Sequence, residues 1–188
     1  MRLEVDVKGR LTAIVLVLVL FAAFMAPRPS QRATAAQRAR AALTSSLLRE
    51  RVLTREALSS LPPKPGAVRG VVMDWNLGGG IATLVAIDDG TVSLFMGEGG
   101  GVIGAGSKPA VASAARRFIS EADRARYDFG ATTSGAIPGR DSVKFYVLTD
   151  TATLVAPTVG AATNGSSATL GPLNEAAQAL IAEIRKAS

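Results

Sequence analysis

The stretch IATLVAIDDGTVSLFM, residues 81–96, predicts two antiparallel strands joined by a tight turn. Apolar and β-branched residues fill both halves, and Asp88, Asp89 and Gly90 stand between them. An Asp-Gly pair favours a primed turn, because glycine adopts positive φ angles at no steric cost. We therefore interpret Asp88 and Asp89 as turn residues, and the hairpin sets an antiparallel direction for this part of the sheet.

Outside this hairpin, the chain beyond residue 65 predicts three more strands and two helices. Strand patterns lie at residues 68–75, 143–148 and 152–156, and helix patterns lie at residues 107–125 and 173–184. Because the strand connections are mostly hairpins, we expect an α+β domain over residues 66–188 with a five-stranded antiparallel sheet. The expected order is helix-βββ-helix-ββ-helix, with the helices flanking the sheet.

Two residue types are missing, and their absence limits the chemistry. The 188 residues include no cysteine and no histidine. Disulfides, thiolate sites, the commonest zinc ligand and the Ser-His-Asp arrangement are therefore excluded. We expect no metal site and no cofactor, and the composition favours a protein that is not an enzyme.

The net charge of +6 is unevenly distributed. Residues 1–64 carry eleven Lys or Arg against four acidic residues, whereas residues 65–188 carry ten against eleven. A near-neutral folded part without clustered basic and aromatic residues is not typical of a nucleic-acid binder. We therefore expect no nucleic acid among the partners.

The N-terminal third predicts attachment to a membrane. A basic tail at residues 1–10 precedes an apolar run at residues 11–26, in which Thr12 is the one polar residue. A helix of that length spans about 24 Å, somewhat short of a bilayer core of about 30 Å. We expect a single-pass anchor in a bacterial inner membrane with lipid contacts through this run. A cleaved secretory signal with a periplasmic product is the alternative, and the balanced flanking charges do not indicate which side the domain occupies.

An arginine-rich linker and an amphipathic helix fill residues 27–65, and the helix pattern covers residues 35–61. Its expected apolar stripe consists of Leu43, Leu47, Leu48, Val52, Leu53, Ala57, Leu58 and Leu61. Two interpretations remain open. The helix packs on the domain that follows, which is the more common arrangement, or it is a stalk that pairs with a copy of itself.

A glycine cluster at residues 97–106 is the candidate site, because consecutive backbone N–H groups before a helix bind anions. The candidate binding residues are Gly99, Gly100, Gly101, Gly104, Gly106, Ser107 and Lys108, together with Asp74 at a strand end. The match to a phosphate-binding P-loop is poor, since Ser107 precedes Lys108 and the motif has the reverse order. The alternative is a glycine-rich bend. A second glycine loop at residues 78–80 would support the site if the two loops met at one end of the sheet.

Three segments resemble a family of small uncharacterised bacterial α+β domains: residues 99–106, 143–149 and 177–185. The resemblance covers roughly residues 68–186, implies one compact domain and carries no known activity. The order of helices and strands also resembles profilin-like, roadblock and longin domains. Roadblock and longin domains place two strands before the middle helix and three after it, whereas this chain is expected to have three and two.

Two functions follow from these patterns. The first is a membrane-tethered, non-catalytic interaction or scaffold domain that binds a protein partner or forms a homo-oligomer. The second is a small-ligand or anion-binding sensor, or a weak hydrolase, that uses the glycine loop with Lys108 and Asp74. The second requires Lys108 and Asp74 to point into one concave pocket beside the loop.

Overall fold

The fold is built on one antiparallel sheet, in a computed structural model that describes residues 35–157, 159–160 and 170–188. The strands are β1 (Gly70–Asn76), β2 (Ile81–Ile87), β3 (Val92–Met96), β4 (Gly101–Ile103), β5 (Gly130–Thr132), β6 (Ser142–Leu148), β7 (Thr153–Val155) and β8 (Val159–Gly160). The helices are α1 (Ala35–Leu53), α2 (Pro109–Ala125) and α3 (Leu170–Ala187). Short 3-10 turns lie at Glu56–Leu58, Ala105–Ser107 and Arg126–Asp128.

The strand order confirms the predicted fold class and corrects the predicted strand count. The order across the sheet is β4-β3-β2-β1-β6-β7-β5, and β8 pairs with β6. All the pairings are antiparallel, and the predicted hairpin places Ala86 opposite Val92 next to its turn. The expected five strands become seven in the main order because β4 and β5 have only three residues each, too few for a periodic pattern.

One face of the sheet is covered by α2, and α3 packs beside α2. The buried positions of α2 recur every three or four residues: Val111, Ala115, Phe118, Ala122 and Ala125. Phe118 meets Phe145 of β6 edge to face, with ring centroids 6.4 Å apart. The helix predicted within residues 107–125 is therefore confirmed, and its buried side forms the core of this face.

The opposite face is covered by α1 and the turn that follows it. Here Val72, Val85 and Tyr146 pack against Leu48, Val52 and Leu53. The helix ends at Leu53, earlier than expected, because Arg55 adopts a left-handed conformation with φ of 64°. The interpretation that this helix packs on the following domain is confirmed.

Two leucines of α1 contradict the predicted stripe. Leu43 is 65% exposed and Leu47 is 60% exposed. Both lie on the side of α1 that faces away from the sheet, so the stripe prediction is wrong for these two residues.

The predicted basic tail at residues 1–10 and the predicted anchor at residues 11–26 lie outside the described residues. Within the described ranges, no helix is long and apolar enough to span a membrane.

Candidate functional site

The first part of the glycine cluster is a tight turn between β3 and β4. Gly99, Gly100 and Gly101 all have positive φ angles, of 100°, 89° and 132°. A Cβ at Gly101 would overlap the backbone of Leu94, and a Cβ at Gly99 would overlap Ala41 of α1. The glycines therefore allow a close approach of strand to strand and of helix to turn.

Several backbone groups of this turn are already hydrogen-bonded, either to one another or to β2. The Gly97 N–H donates to the Ile81 carbonyl at 2.7 Å, and the Gly99 N–H donates to the Met96 carbonyl at 2.9 Å. The Met96 N–H in turn donates to the Gly100 carbonyl at 3.0 Å. Because their N–H groups already donate to carbonyls of the fold, Gly97 and Gly99 do not offer free N–H groups to an anion.

The second part of the cluster leads into α2. Gly104 has a φ of 74° and precedes the 3-10 turn, and Gly106 lies directly against the carbonyl of Gly90. Ser107 and Lys108 are exposed, and Lys108 immediately precedes Pro109 at the start of α2.

The two glycine loops meet at one end of the sheet, which is the arrangement that would support a site there. Gly80 of the first loop lies against the Glu98 side chain of the second, since a Cβ added to Gly80 would be 3.4 Å from it. Gly97 likewise lies beside Ile81, the residue that follows Gly80. This end also receives the loop before β6, because Asn76 donates from its side-chain amide to the Pro138 carbonyl at 2.9 Å. The loops pack on one another around the ends of β1 and β3.

Asp74 and Lys108 are not brought into one pocket. Asp74 is fully buried on the face that α1 covers, whereas Lys108 is exposed at the start of α2, which packs on the other face. The candidate glycines, Ser107 and Lys108 lie in two separate turns. Their role in binding a ligand or a partner stays a prediction.

The carboxylate of Asp74 instead holds α1 on the sheet. Arg49 donates to one carboxylate oxygen of Asp74 from Nε at 2.9 Å and from Nη2 at 2.6 Å. Thr83 donates from its hydroxyl to the other oxygen at 2.7 Å. A buried carboxylate requires such partners, because an unpaired charge is strongly disfavoured away from water.

The same arginine reaches two other parts of the fold. Arg49 also donates to the Gly135 carbonyl at 2.7 Å, and its guanidinium carbon lies 5.8 Å from the ring centroid of Tyr146. The Tyr146 hydroxyl donates to the Ala136 carbonyl at 2.7 Å. This cluster therefore joins α1, the central strands and the loop before β6.

The electrostatics of the cluster follow from burial and charge. Burial alone lowers the pKa of Arg49, but its hydrogen bond to Asp74 and the negative charge of that group outweigh burial and raise the pKa above its ordinary value. The pKa of Tyr146 is also raised, first by burial and then by the charge of Asp74. Arg49 is therefore a permanent cation and Tyr146 a neutral hydroxyl at ordinary pH.

A fully buried arginine joins two turns at the other end of the sheet. Arg69, 1% exposed, donates from Nε to Asp88 at 3.1 Å and is also hydrogen-bonded to Asp150. Lys64 reaches Asp88 at 2.5 Å. Burial raises the pKa of Asp88, but hydrogen bonds and charges from Lys64 and Arg69 hold it below its ordinary value.

The sequence interpretation missed both arginines. Asp88 is a turn residue, as predicted, and it is also an ion-pair partner. The sequence feature that could have indicated Arg49 is Asp74, which lies within an otherwise apolar strand. A buried carboxylate implies a cationic partner on a neighbouring element.

An apolar groove lies beside α1 on the same face of the sheet, with a volume of about 370 Å³. Its apolar lining includes Leu48, Val52, Val85, Ile87 and Phe95. Ile103 of β4, 71% exposed, stands at the rim. Neither Asp74 nor Lys108 lines this groove.

The outward side of α1 is the second exposed apolar feature. We call Arg40, Leu43, Leu47 and Glu50 the α1 outer stripe, and all four are exposed. Within the ranges that the structure covers, no cluster of three or more acidic residues has the geometry of a metal site. No protein-family model, curated protein or solved structure matches the chain.

Proposed function

We propose that this chain is a membrane-tethered interaction domain without catalysis. Residues 11–26 are the anchor, and α1 presents the contact surface to a protein partner. The observation that supports the proposal most strongly is the exposure of Leu43 and Leu47, 65% and 60%, one helical turn apart. Large apolar side chains grouped on an exposed surface are typical of a macromolecular contact.

The surface is rigid, which favours a contact role. On its inner side, α1 is fixed by Arg49 to Asp74 and by the Ser45 hydroxyl to the Met96 carbonyl at 2.8 Å. At its end, the Leu53 carbonyl accepts from the Thr153 hydroxyl at 2.9 Å. A helix held at three points loses little conformational entropy when a partner binds.

The buried charged groups favour a structural role over catalysis. The two buried arginine and aspartate clusters described above each hold a helix or a pair of turns in place, with Arg49 on Asp74 in one and Arg69 on Asp88 and Asp150 in the other. Neither cluster opens into the groove beside α1.

The anion-binding alternative has less support. It needs free N–H donors in the glycine cluster, and the N–H groups of Gly97 and Gly99 already donate to carbonyls within the fold. Two observations remain in its favour: Lys108 is exposed at the start of α2, and the two glycine loops meet at one end of the sheet.

Photo-crosslinking in native membranes tests the proposal. A benzophenone amino acid replaces Ser46, an exposed residue between the two leucines, or Arg117, an exposed residue of α2 used as the matched control. We expect a protein adduct from position 46 and none from position 117. A soluble full-length chain, or position 46 without any protein adduct, would contradict the proposal.

A separate variant tests the proposed anchor at residues 11–26. Leu18→Arg combined with Leu20→Arg places two charges in the middle of the apolar run, and each costs about 3 kcal/mol at the centre of a membrane helix. We expect this variant to leave the membrane fraction.

A further inference from the structure

The geometry of α1 places its two exposed leucines on one line. Successive residues of an α-helix are about 100° apart, so residues two before and two after a given position lie on its far side. Ser45 is 7% exposed and bonds to the sheet. Leu43 and Leu47 flank it by two residues on either side and therefore lie opposite the sheet.

The charges of the α1 outer stripe are symmetric about the same point. Arg40 lies three residues before Leu43, and Glu50 lies three residues after Leu47. The stripe is thus a basic residue, two leucines and an acidic residue, centred on Ser45. Such a pattern is complementary to itself when it is turned end over end.

We propose that the partner is a second copy of this chain, paired antiparallel through α1. A two-fold axis at the level of Ser45 sets Leu43 of each copy against Leu47 of the other. The same axis sets Arg40 of each copy against Glu50 of the other. This is an isologous contact, in which one surface serves both copies, and it contains two ion pairs beside four leucines.

The charges of Arg40 and Glu50 favour the antiparallel arrangement over the parallel one, and Arg51, the next exposed cation of α1, is ion-paired with Glu56 of its own chain. A parallel pair would place Arg40 against Arg40 and Glu50 against Glu50, and like charges disfavour that alignment. Among the ion pairs of the described residues, none involves Arg40 or Glu50. Both groups are exposed and open to a partner's charge.

Neighbouring residues are compatible with close approach, and a second copy matches both charges of the stripe. Ala39, Thr44 and Ser46 beside the stripe are small and exposed. An anionic lipid surface would attract Arg40 and repel Glu50, whereas a second copy offers each of the two a charge of opposite sign.

This inference rests on the proposed function, because the stripe is short and its pairing depends on membrane anchoring. A contact of one helix from each copy buries little area and needs a high local concentration to persist. Two copies anchored in the same membrane have that concentration.

Disulfide trapping of the full-length chain in membranes tests the orientation, and the absence of native cysteine makes every introduced thiol specific. Copies carrying Arg40→Cys and copies carrying Glu50→Cys are produced together with different tags. We expect a mixed disulfide dimer between the two tags. We expect at least tenfold less dimer from either variant alone, since positions 40 of two antiparallel copies are about 15 Å apart along the axis and disulfides require Cα atoms within about 7 Å.

Charge exchange provides the matched control. In the chain with the benzophenone at position 46, Arg40→Glu should reduce the dimer adduct at least tenfold, and Arg40→Glu with Glu50→Arg should restore it. A loss of adduct through misfolding would not be restored by the second charge change.

The outcomes separate the two proposals. Adducts at position 46 to a different protein would overturn pairing with a copy and leave the proposed function intact. Disulfide dimers from Arg40→Cys alone would show a parallel pair and overturn the antiparallel contact. Adducts to lipid alone, or no adduct, would overturn both.

Discussion

α2 and α1 cover opposite faces of the same sheet, yet they are held on it in different ways. The buried side of α2 is entirely apolar, whereas α1 depends on an ion pair between Arg49 and Asp74 as well as on Leu48 and Val52. α2 leaves no large apolar residue among the exposed ones, whereas α1 leaves Leu43 and Leu47 outside. The comparison shows that α2 only covers a core, whereas α1 covers the sheet and also leaves two leucines exposed, on the side that we propose as a contact surface.

The largest expected effect comes from the α2 face. Phe118→Ala removes a fully buried ring that packs on Phe145, and such a truncation costs about 3–5 kcal/mol of the free energy of unfolding. Urea unfolding of residues 35–188 measures it, with Ser113→Ala on the exposed side of α2 as control. A loss below about 1 kcal/mol would show that α2 does not cover a packed core.

On the α1 face, Asp74→Ala leaves Arg49 without its carboxylate. Breaking a buried pair costs about 3–5 kcal/mol, and we expect the lower end because the Arg49 side chain is 15% exposed. The loss should release α1, so limited proteolysis should cut residues 35–61 before the sheet unfolds. The control is Glu175→Ala, an exposed acidic residue of α3, and equal protection of α1 in both variants would contradict the role of Asp74.

Acid should weaken the cluster around Arg69 by a smaller amount. The pKa of Asp88 is lowered in the folded state, so its ion pairs stabilise the fold above the unfolded carboxyl pKa of about 3.9. That stability is lost as the pH falls through the folded pKa. Asp88→Asn should reduce the slope of unfolding free energy against pH in this range, while Asp150 still binds Arg69. An unchanged slope would contradict the role of Asp88.

Much of the fold followed from local patterns in the sequence. The Asp89-Gly90 turn predicted the hairpin, and the regular spacing around Phe118 predicted α2. β4 and β5 were missed because three residues carry no period, and their positions depend on pairing with distant strands.

The α1 helix shows why the site was harder to predict. Leucines occur on both sides of it, so apolar spacing alone could not decide which side faces the sheet. Arg49 decides it, because only one rotation of the helix brings this residue to Asp74. That ion pair joins residues 25 positions apart, which lies beyond any local pattern.

Adjacent leucines give the most direct test of which side of α1 packs on the sheet and which side is left for a partner. Leu48 packs against the cluster on the sheet, whereas Leu47 is 60% exposed on the opposite side. We expect Leu48→Ser to lower the free energy of unfolding by about 1–2 kcal/mol and Leu47→Ser to change it by less than about 0.5 kcal/mol. Equal losses from the two variants, or a larger loss from Leu47→Ser, would contradict the assignment of the two sides of α1.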